Sequence, residues 1–203
     1  SKNIPILGIN LGNLGFLNDI APKDLTESLL KVLNGEFIED PRFYLETLVF
    51  DKRKRFIALN EVVIHSGEIA QLIEFDLFID DVYVYTQKSD GLIVSSPTGS
   101  TAYSLSAGGP IVHPKVDSII ISPMLPLSLN SSSLIVDGNS KIQINLTKSS
   151  PEAHISFDSF SSHKLSKKEG VEVSKSKSNL KLIHPKGSDF FEACRNKLGW
   201  SNN

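Results

Sequence analysis

Two stretches of the sequence carry residue types that could hold a ligand. Between Ser89 and Pro110, the hydroxyl side chains of Ser95, Ser96, Thr98, Ser100, Thr101 and Ser106 are interleaved with Pro97, Gly99, Gly108 and Gly109. Pro97 and Gly99 shape a tight turn after a strand ending near Ser96. Ser100 or Thr101 is placed to cap a short helix through Ser106, and Gly108-Gly109-Pro110 ends it. A strand, a turn and a helix start leave backbone N–H groups free, which suits a phosphate or a ligand carbonyl. Tyr103 adds a flat surface for an aromatic ring. The same residues also serve as a capped turn that merely links a strand to a helix. The second stretch is Asn60-Glu61, a polar pair in the otherwise apolar run Ala58 to Ile64. An Asn amide offers a donor and an acceptor, matching the edge of an adenine ring, and a carboxylate can accept from two ribose hydroxyls. The alternative is an edge strand or bulge whose polar groups meet water.

Other constellations carry less. Gly8 to Leu17 is glycine-rich, but its spacing departs from G-x-G-x-x-G and no acidic residue follows on a second strand at the right distance, so a Rossmann loop is rejected in favour of a tight turn with Phe16 packed nearby. The histidines His65, His113, His154, His163 and His184 are scattered, with no metal-ligand spacing. Pro97-Thr98-Gly99-Ser100-Thr101 is no nucleophile elbow, and Cys194 reads as a packing residue.

The elements that must position these residues are mostly strands. Ile4 to Ile9 reads as a buried strand. Leu25, Leu29 and Leu33 recur every fourth residue in a helix over Lys23 to Leu33, stopped by Asn34-Gly35. After Phe43 the period changes to two. Ile73, Phe75, Leu77 and Ile79 alternate with polar neighbours, Asp80-Asp81 turns the chain, and Val82 to Tyr85 runs back as a hairpin. Further strands are predicted at Gly91–Ser95, Ser118–Ile121, Leu134–Val136, Lys141–Leu146, Ala153–Phe157 and Leu180–Ile183. The Ser- and Lys-rich run Ser161 to Ser178 reads as a solvated hairpin. Ser188 or Asp189 caps a last helix to Leu198, with Gly199 as its stop. This pattern predicts a mainly β, sandwich-like body with a few short helices.

The 203 residues, 40% of them apolar, suffice for one large core. A net charge of −2 gives no general attraction to nucleic acid or an acidic membrane, so neither is an expected partner. No run of 18 or more apolar residues occurs. A single cysteine rules out an internal disulfide and suits a reducing compartment, making the cytoplasm the expected location. The abrupt start, with Ser1-Lys2-Asn3 running straight into an apolar strand, is expected of a piece of a longer protein.

Three blocks, in this order, resemble the signatures of the NAD kinase family: Asn10-x-Gly12-x-Leu14-Gly15-Phe16-Leu17; Leu59-Asn60-Glu61; and Asp90-Gly91-Leu92-Ile93 followed by Pro97 through Pro110. His184-Pro185-Lys186 and Lys197-Leu198-Gly199-Trp200 are similar to proteobacterial members. The resemblance implies an enzyme that phosphorylates the 2′-hydroxyl of the adenosine ribose of NAD, using ATP and a divalent metal such as Mg²⁺. It also implies that residues 1–203 form the family's C-terminal NAD-binding β-sandwich, with the fold shared by diacylglycerol kinases. Residues 1–35 would be a strand, turn and helix at the junction with an N-terminal α/β domain absent from this chain. By the same match, Asn60 and Glu61 contact the adenosine half, and Thr98, Thr101 and Ala102 line the adenine pocket. Asp90, Tyr103 and Ser106 hold the nicotinamide end, partly across a subunit interface, which implies a homodimer or homotetramer. Ser104 and Leu105 belong to the same binding block, Gln71 and Lys88 approach the ligand, and Leu125 makes a backbone contact. The departures are as informative. No Gly-Gly-Asp-Gly occurs in the sequence. The family carries that loop shortly upstream of the opening strand, and its Asp is the expected general base, so no residue of this chain is expected to be catalytic. Gln71 stands where histidine is commoner, and Phe160 where a polar residue is usual. Alternatives are a non-catalytic NAD(P)-binding or assembly module, or a lipid kinase of the diacylglycerol or sphingosine type.

Overall fold

Alternation of apolar and polar residues decides most of the architecture. In the computed structural model, which describes residues 4–11, 16–18, 20–50, 54–68, 71–128, 130–167 and 169–200, the chain forms two units. One comprises residues 43–178 and the other residues 1–42 with 179–203.

In order along the chain, the elements are β1 (Ile6–Leu7), α1 (Leu25–Leu33), β2 (Phe37–Val49), β3 (Lys54–Ala58), β4 (Glu61–His65), β5 (Ile73–Ile79), β6 (Val82–Ser89), β7 (Gly91–Ser95), α2 (Tyr103–Ser106), β8 (Ser118–Met124), β9 (Leu134–Asp137), β10 (Ile142–Leu146), β11 (Ala153–Phe157), β12 (Ser161–Leu165), β13 (Gly170–Pro185) and α3 (Phe190–Leu198). In the larger unit, one sheet has the order β3-β2-β13-β10-β5-β6 and the other β12-β11-β4-β7-β8-β9. Their inner faces supply Leu45, Phe75, Leu77, Leu92, Val94, Ile119, Ile121, Ile142, Ile155 and Phe157, each at most 2% exposed. This is the β-sandwich the sequence predicts. In β5, Ile73, Phe75 and Leu77 point inward and Glu74 and Asp76 outward. Asp80 and Asp81 close the β5–β6 hairpin with positive φ (50° and 65°), the primed turn that matches strand twist.

The central strands of the second sheet behave differently. All five residues of β7 are buried, so that strand is covered on both faces. Leu92 and Val94 enter the sandwich core, which leaves Ile93 and Ser95 on the opposite face. There α2 and the turn before it cover them.

Two expectations are corrected. Ser161 to Ser178 is not a hairpin: β12 pairs with β11, whereas β13 pairs with β10 in the other sheet. A charged, serine-rich run carries no register information, and the buried alternation Gly170, Val171, Val173 sends the chain across. Leu180–Ile183 is the end of this 16-residue strand rather than a strand of its own.

In the smaller unit the buried strand expected over Ile4 to Ile9 is reduced to Ile6–Leu7, with Ile4 and Ile6 exposed; it pairs in parallel with the end of β13, and Ile9 bridges Ile20. Asp40, Arg42 and His184 form a charged cluster. Asp189 caps α3 by accepting from the N–H groups of Phe191 (3.0 Å) and Glu192 (3.2 Å), and Gly199 ends that helix at φ 69°. Phe16 lies 6.2 Å from Phe190, centroid to centroid. Of the glycine-rich turn, Gly12 to Gly15 lie outside the described residues.

Candidate functional site

β4 is an interior strand between β11 and β7, so Asn60-Glu61 is not the edge pair that water would satisfy. Val62 and Val94, a registered pair, both face the core. Strand alternation therefore puts Glu61 and its partner Ser95 on the opposite face, with Ile93 and Ser122. Glu61 is 5% exposed, and its Oε2 has no hydrogen-bond partner. Burial, reinforced by the neighbouring Asp158 carboxylate, pushes its pKa up to about 7, although the Tyr103 backbone N–H donates to it and acts the other way.

The turn that covers this carboxyl is fastened to the same backbone. The Ser96 N–H donates to the Asn60 carbonyl (2.9 Å), Ser96 Oγ donates to the Leu59 carbonyl (2.6 Å) and Ser95 Oγ to the Asn60 carbonyl (3.2 Å). Gly99 closes the contact: a Cβ there would stand 2.2 Å from the Asn60 carbonyl oxygen. Only glycine lets the two loops approach this closely.

The local geometry corrects the expectation of a capped helix. Thr98–Thr101 is a 3-10 turn, the chain breaks at Ala102, and α2 is four residues long with no side-chain cap. Ser100 Oγ is engaged with the Pro97 carbonyl (2.7 Å) and the Val112 N–H (3.0 Å), and Thr101 Oγ1 with the Thr98 carbonyl (3.4 Å). The helix start is not free for a phosphate, because its Tyr103 N–H is directed at Glu61. Most of the hydroxyls fasten the turn. What faces outward is the Tyr103 ring, 44% exposed, along with Ser106, while Thr101, Ala102 and Leu105 are half-buried and Thr98 is buried. Ser104 is fully buried, with its Oγ 3.3 Å from Ser122 Oγ, and fixes α2 to the sheet.

The remaining predicted residues gather elsewhere. Gly91 registers with His65 and Ser95 with Glu61, so Asp90 lies about 13 Å or more along β7 from the Glu61 end. Leu125 belongs to that distant group: the Asp90 N–H donates to the Met124 carbonyl and the Leu127 N–H to the Lys88 carbonyl, both at 3.0 Å. Leu125 is 78% exposed at φ 42°. Lys88 is half-exposed and lies 3.4 Å from Glu74. Gln71 lines a separate cavity of about 440 Å³ with Ser66, His154 and Lys164. The structure thus brings Asn60, Glu61 and the Thr98–Ser106 segment together and leaves Gln71, Lys88, Asp90 and Leu125 apart from them.

One residue of the site went unassigned by the sequence. Asp158, between β11 and β12, accepts from the backbone N–H groups of Leu59 (2.6 Å), Asn60 (2.8 Å) and Glu61 (3.1 Å). The signal available was an aspartate directly after the alternating run Ala153 to Phe157. Its partners lie nearly a hundred residues earlier, beyond the reach of any local pattern.

Comparison with known proteins identifies relatives over the whole chain. The family model for the ATP-NAD kinase C-terminal domain matches residues 59–185, and that for the ATP-NAD kinase N-terminal domain matches residues 1–37. A protein named NAD kinase from Marinobacter nauticus is 46% identical over 205 residues, covering 99% of this chain and 70% of that protein. Another from Teredinibacter turnerae is 46% identical over 204 residues, covering 98% and 70%. Among solved structures, yeast NADH kinase complexed with NADH superposes with a TM-score of 0.91 at 27% identity. It covers 98% of this chain, which spans 61% of that one. An NAD kinase from Archaeoglobus fulgidus in complex with ATP gives a TM-score of 0.80 at 27% identity, covering 96% of this chain and 74% of its own.

Proposed function

The chain belongs to the ATP-NAD kinase family, and from that premise we propose that it holds NAD while the 2′-hydroxyl of the adenosine ribose is phosphorylated by ATP. The observation that carries this reading is the buried Glu61 carboxyl, unpartnered at Oε2, beneath a turn fastened to Asn60 and beside the exposed Tyr103 ring. An unpartnered buried acceptor is costly unless a ligand satisfies it. Ribose hydroxyls are donors of the right kind. Ligand binding also completes the burial begun by the Thr98–Thr101 turn and excludes water, which strengthens each hydrogen bond.

In this reading Asn60 and Glu61 take the adenosine half, and Thr98, Thr101 and Ala102 line the adenine. Tyr103, Leu105 and Ser106 face the rest of the molecule, with Ser104 as their anchor. Asp90, at the other end of β7, serves with Tyr103 and Ser106 the nicotinamide end across a subunit interface of a homodimer or homotetramer, while Lys88 and Gln71 approach the ligand and Leu125 offers a backbone contact. The match of the N-terminal-domain model to residues 1–37 supports reading residues 1–35 as the junction with that α/β domain. Among the described residues no group of three or more His, Cys, Asp or Glu is placed to hold a metal ion. A divalent metal accompanying ATP therefore finds no such ligand set there. The general base is likewise assigned to a Gly-Gly-Asp-Gly loop outside this sequence. The chain's share of catalysis is to position the hydroxyl, the dominant requirement in phosphoryl transfer. No described helix is long and apolar enough to cross a membrane; the cytoplasm is the proposed location.

Calorimetric titration with NAD, beside an assay for NADP formation with ATP and magnesium, tests this. The expected result is NAD binding without turnover by this chain alone. Equal affinity for unrelated nucleotides would overturn the NAD site, and turnover would overturn the external general base.

A further inference from the structure

Asp158 sits where its backbone is strained. It and Ser159 adopt φ of 48° and 59°, in a tight turn closed by the Phe160 N–H on the Phe157 carbonyl (3.0 Å). Glycine or asparagine suits such a turn best, and a left-handed side chain carries a conformational cost. The aspartate there makes three backbone hydrogen bonds to Leu59, Asn60 and Glu61 through both carboxylate oxygens. Its own N–H donates to the Glu61 carbonyl at 3.1 Å. The Asn60 and Leu59 carbonyls are held from the other side by Ser95 and Ser96. The short connection between β3 and β4 is thus clamped on its N–H groups by Asp158 and on its carbonyls by the Ser95–Ser96 segment.

Resting on the reading that Asn60 and Glu61 grip NAD, we propose that Asp158 is a positioning residue for the nucleotide. Its carboxylate locks the Leu59–Glu61 backbone so that the two polar side chains present themselves together to the ligand. Asp158 touches no ligand in this scheme; it acts through its neighbours. Aspartate is required because three N–H donors converge on it. Asparagine keeps one acceptor oxygen but turns an NH₂ toward a donor, and glycine keeps the turn but removes every acceptor. Among the described residues, Asp158 is also the one charged side chain that bears on the Glu61 carboxyl, the other influences being burial and the Tyr103 N–H. Its removal therefore has an electrostatic signature that a loss of packing lacks.

The test uses the full chain with Asp158→Asn, Asp158→Gly, Glu61→Gln and the pair Glu61→Gln with Asp158→Gly. NAD affinity is measured calorimetrically between pH 6 and 8, and the Glu61 carboxyl is titrated by NMR without ligand. Asp158→Gly suits the left-handed backbone and is expected to keep the fold, checked by its melting temperature. NAD affinity should fall by roughly ten- to a hundredfold, the range that loss of charge-assisted hydrogen bonds commands. The Glu61 midpoint should move down in both Asp158 variants, and in the pair the losses should be less than additive. Additive losses with an unmoved Glu61 midpoint would leave Asp158 a merely structural turn residue and overturn the inference. If the unmodified chain shows no NAD binding, or Glu61→Gln leaves it unchanged, the reading of the site itself fails. Normal binding with an unmoved midpoint sinks only the role of Asp158.

Discussion

Gly99→Ala is the most incisive perturbation of the turn over Glu61. The added Cβ would lie 2.2 Å from the Asn60 carbonyl oxygen, 2.5 Å from its carbonyl carbon and 2.6 Å from Ser95 Oγ. The two shortest contacts are to backbone, so no rotamer change relieves them. Ordinary contact requires about 3.5 Å, leaving more than an ångström to be absorbed by moving either the 97–101 turn or the Leu59–Glu61 connection. Both are fastened: the Asn60 carbonyl accepts from the Ser96 N–H and Ser95 Oγ. The expected cost is about 1–3 kcal/mol from overpacking, with about 1 kcal/mol more for each carbonyl bond that breaks. NAD affinity should fall at least tenfold, since the displaced atoms carry Asn60 and the N–H that meets Glu61. The control is Gly108→Ala, at φ 82° with nothing within 4 Å. It should cost only about 1–2 kcal/mol of backbone strain and leave NAD binding nearly unchanged. Urea denaturation and NAD titration of both variants read this out. A Gly99→Ala chain as stable as its parent, with the same dissociation constant, would refute the claim that the turn is seated on Asn60.

Three further outcomes are expected. Glu61 titrates near 7 in the fold against an ordinary 4.5, so the native state binds the extra proton and stability falls as pH rises from about 4.5 to 7. Glu61→Gln should abolish that slope in urea midpoints and stabilise the chain at pH 8 by up to about 3 kcal/mol; a parallel pH dependence in both chains would contradict it. Asp40 shows the opposite sign. Burial opposes its ionisation, but hydrogen bonds and charge from His184 and Arg42 prevail and hold it well below the usual carboxylate range. Its stabilisation is present above about pH 4 and lost in stronger acid. Asp40→Asn should cost roughly 3 kcal/mol at pH 7 and progressively less in acid, as seen in acid unfolding curves. Phe157 is 2% exposed and stacks on Phe56 at 4.4 Å. Phe157→Ala should lose about 3–5 kcal/mol, and a loss under 1 kcal/mol in urea unfolding would show that this part of the core is not packed as described.

The sequence by itself determined the elements whose periods are local. Ile73, Phe75 and Leu77 alternate, so β5 forms and its face is known. Asp189 and Gly199 bracket a helix because cap chemistry acts over three residues. It also carried the family, because Leu59-Asn60-Glu61 and the Asp90-to-Pro110 block keep their order and spacing. Tertiary structure decided what depends on partners distant in the chain. The Ser161–Ser178 run has no period, and pairing with β11 on one side and β10 on the other sends it into two sheets. The hydroxyls of the Ser95–Thr101 turn read as ligand groups until their bonds to Leu59, Asn60 and Pro97 are seen. Glu61 reads as half of a polar pair that either holds a ligand or meets water; only its register with Ser95, on the covered face of an interior strand, makes it buried and reluctant to ionise. Asp158 shows the same limit, since three backbone N–H groups nearly a hundred residues away settle its role. A local pattern records which residue types a segment needs, whereas a hydrogen bond between distant segments exists only once both sheets have formed.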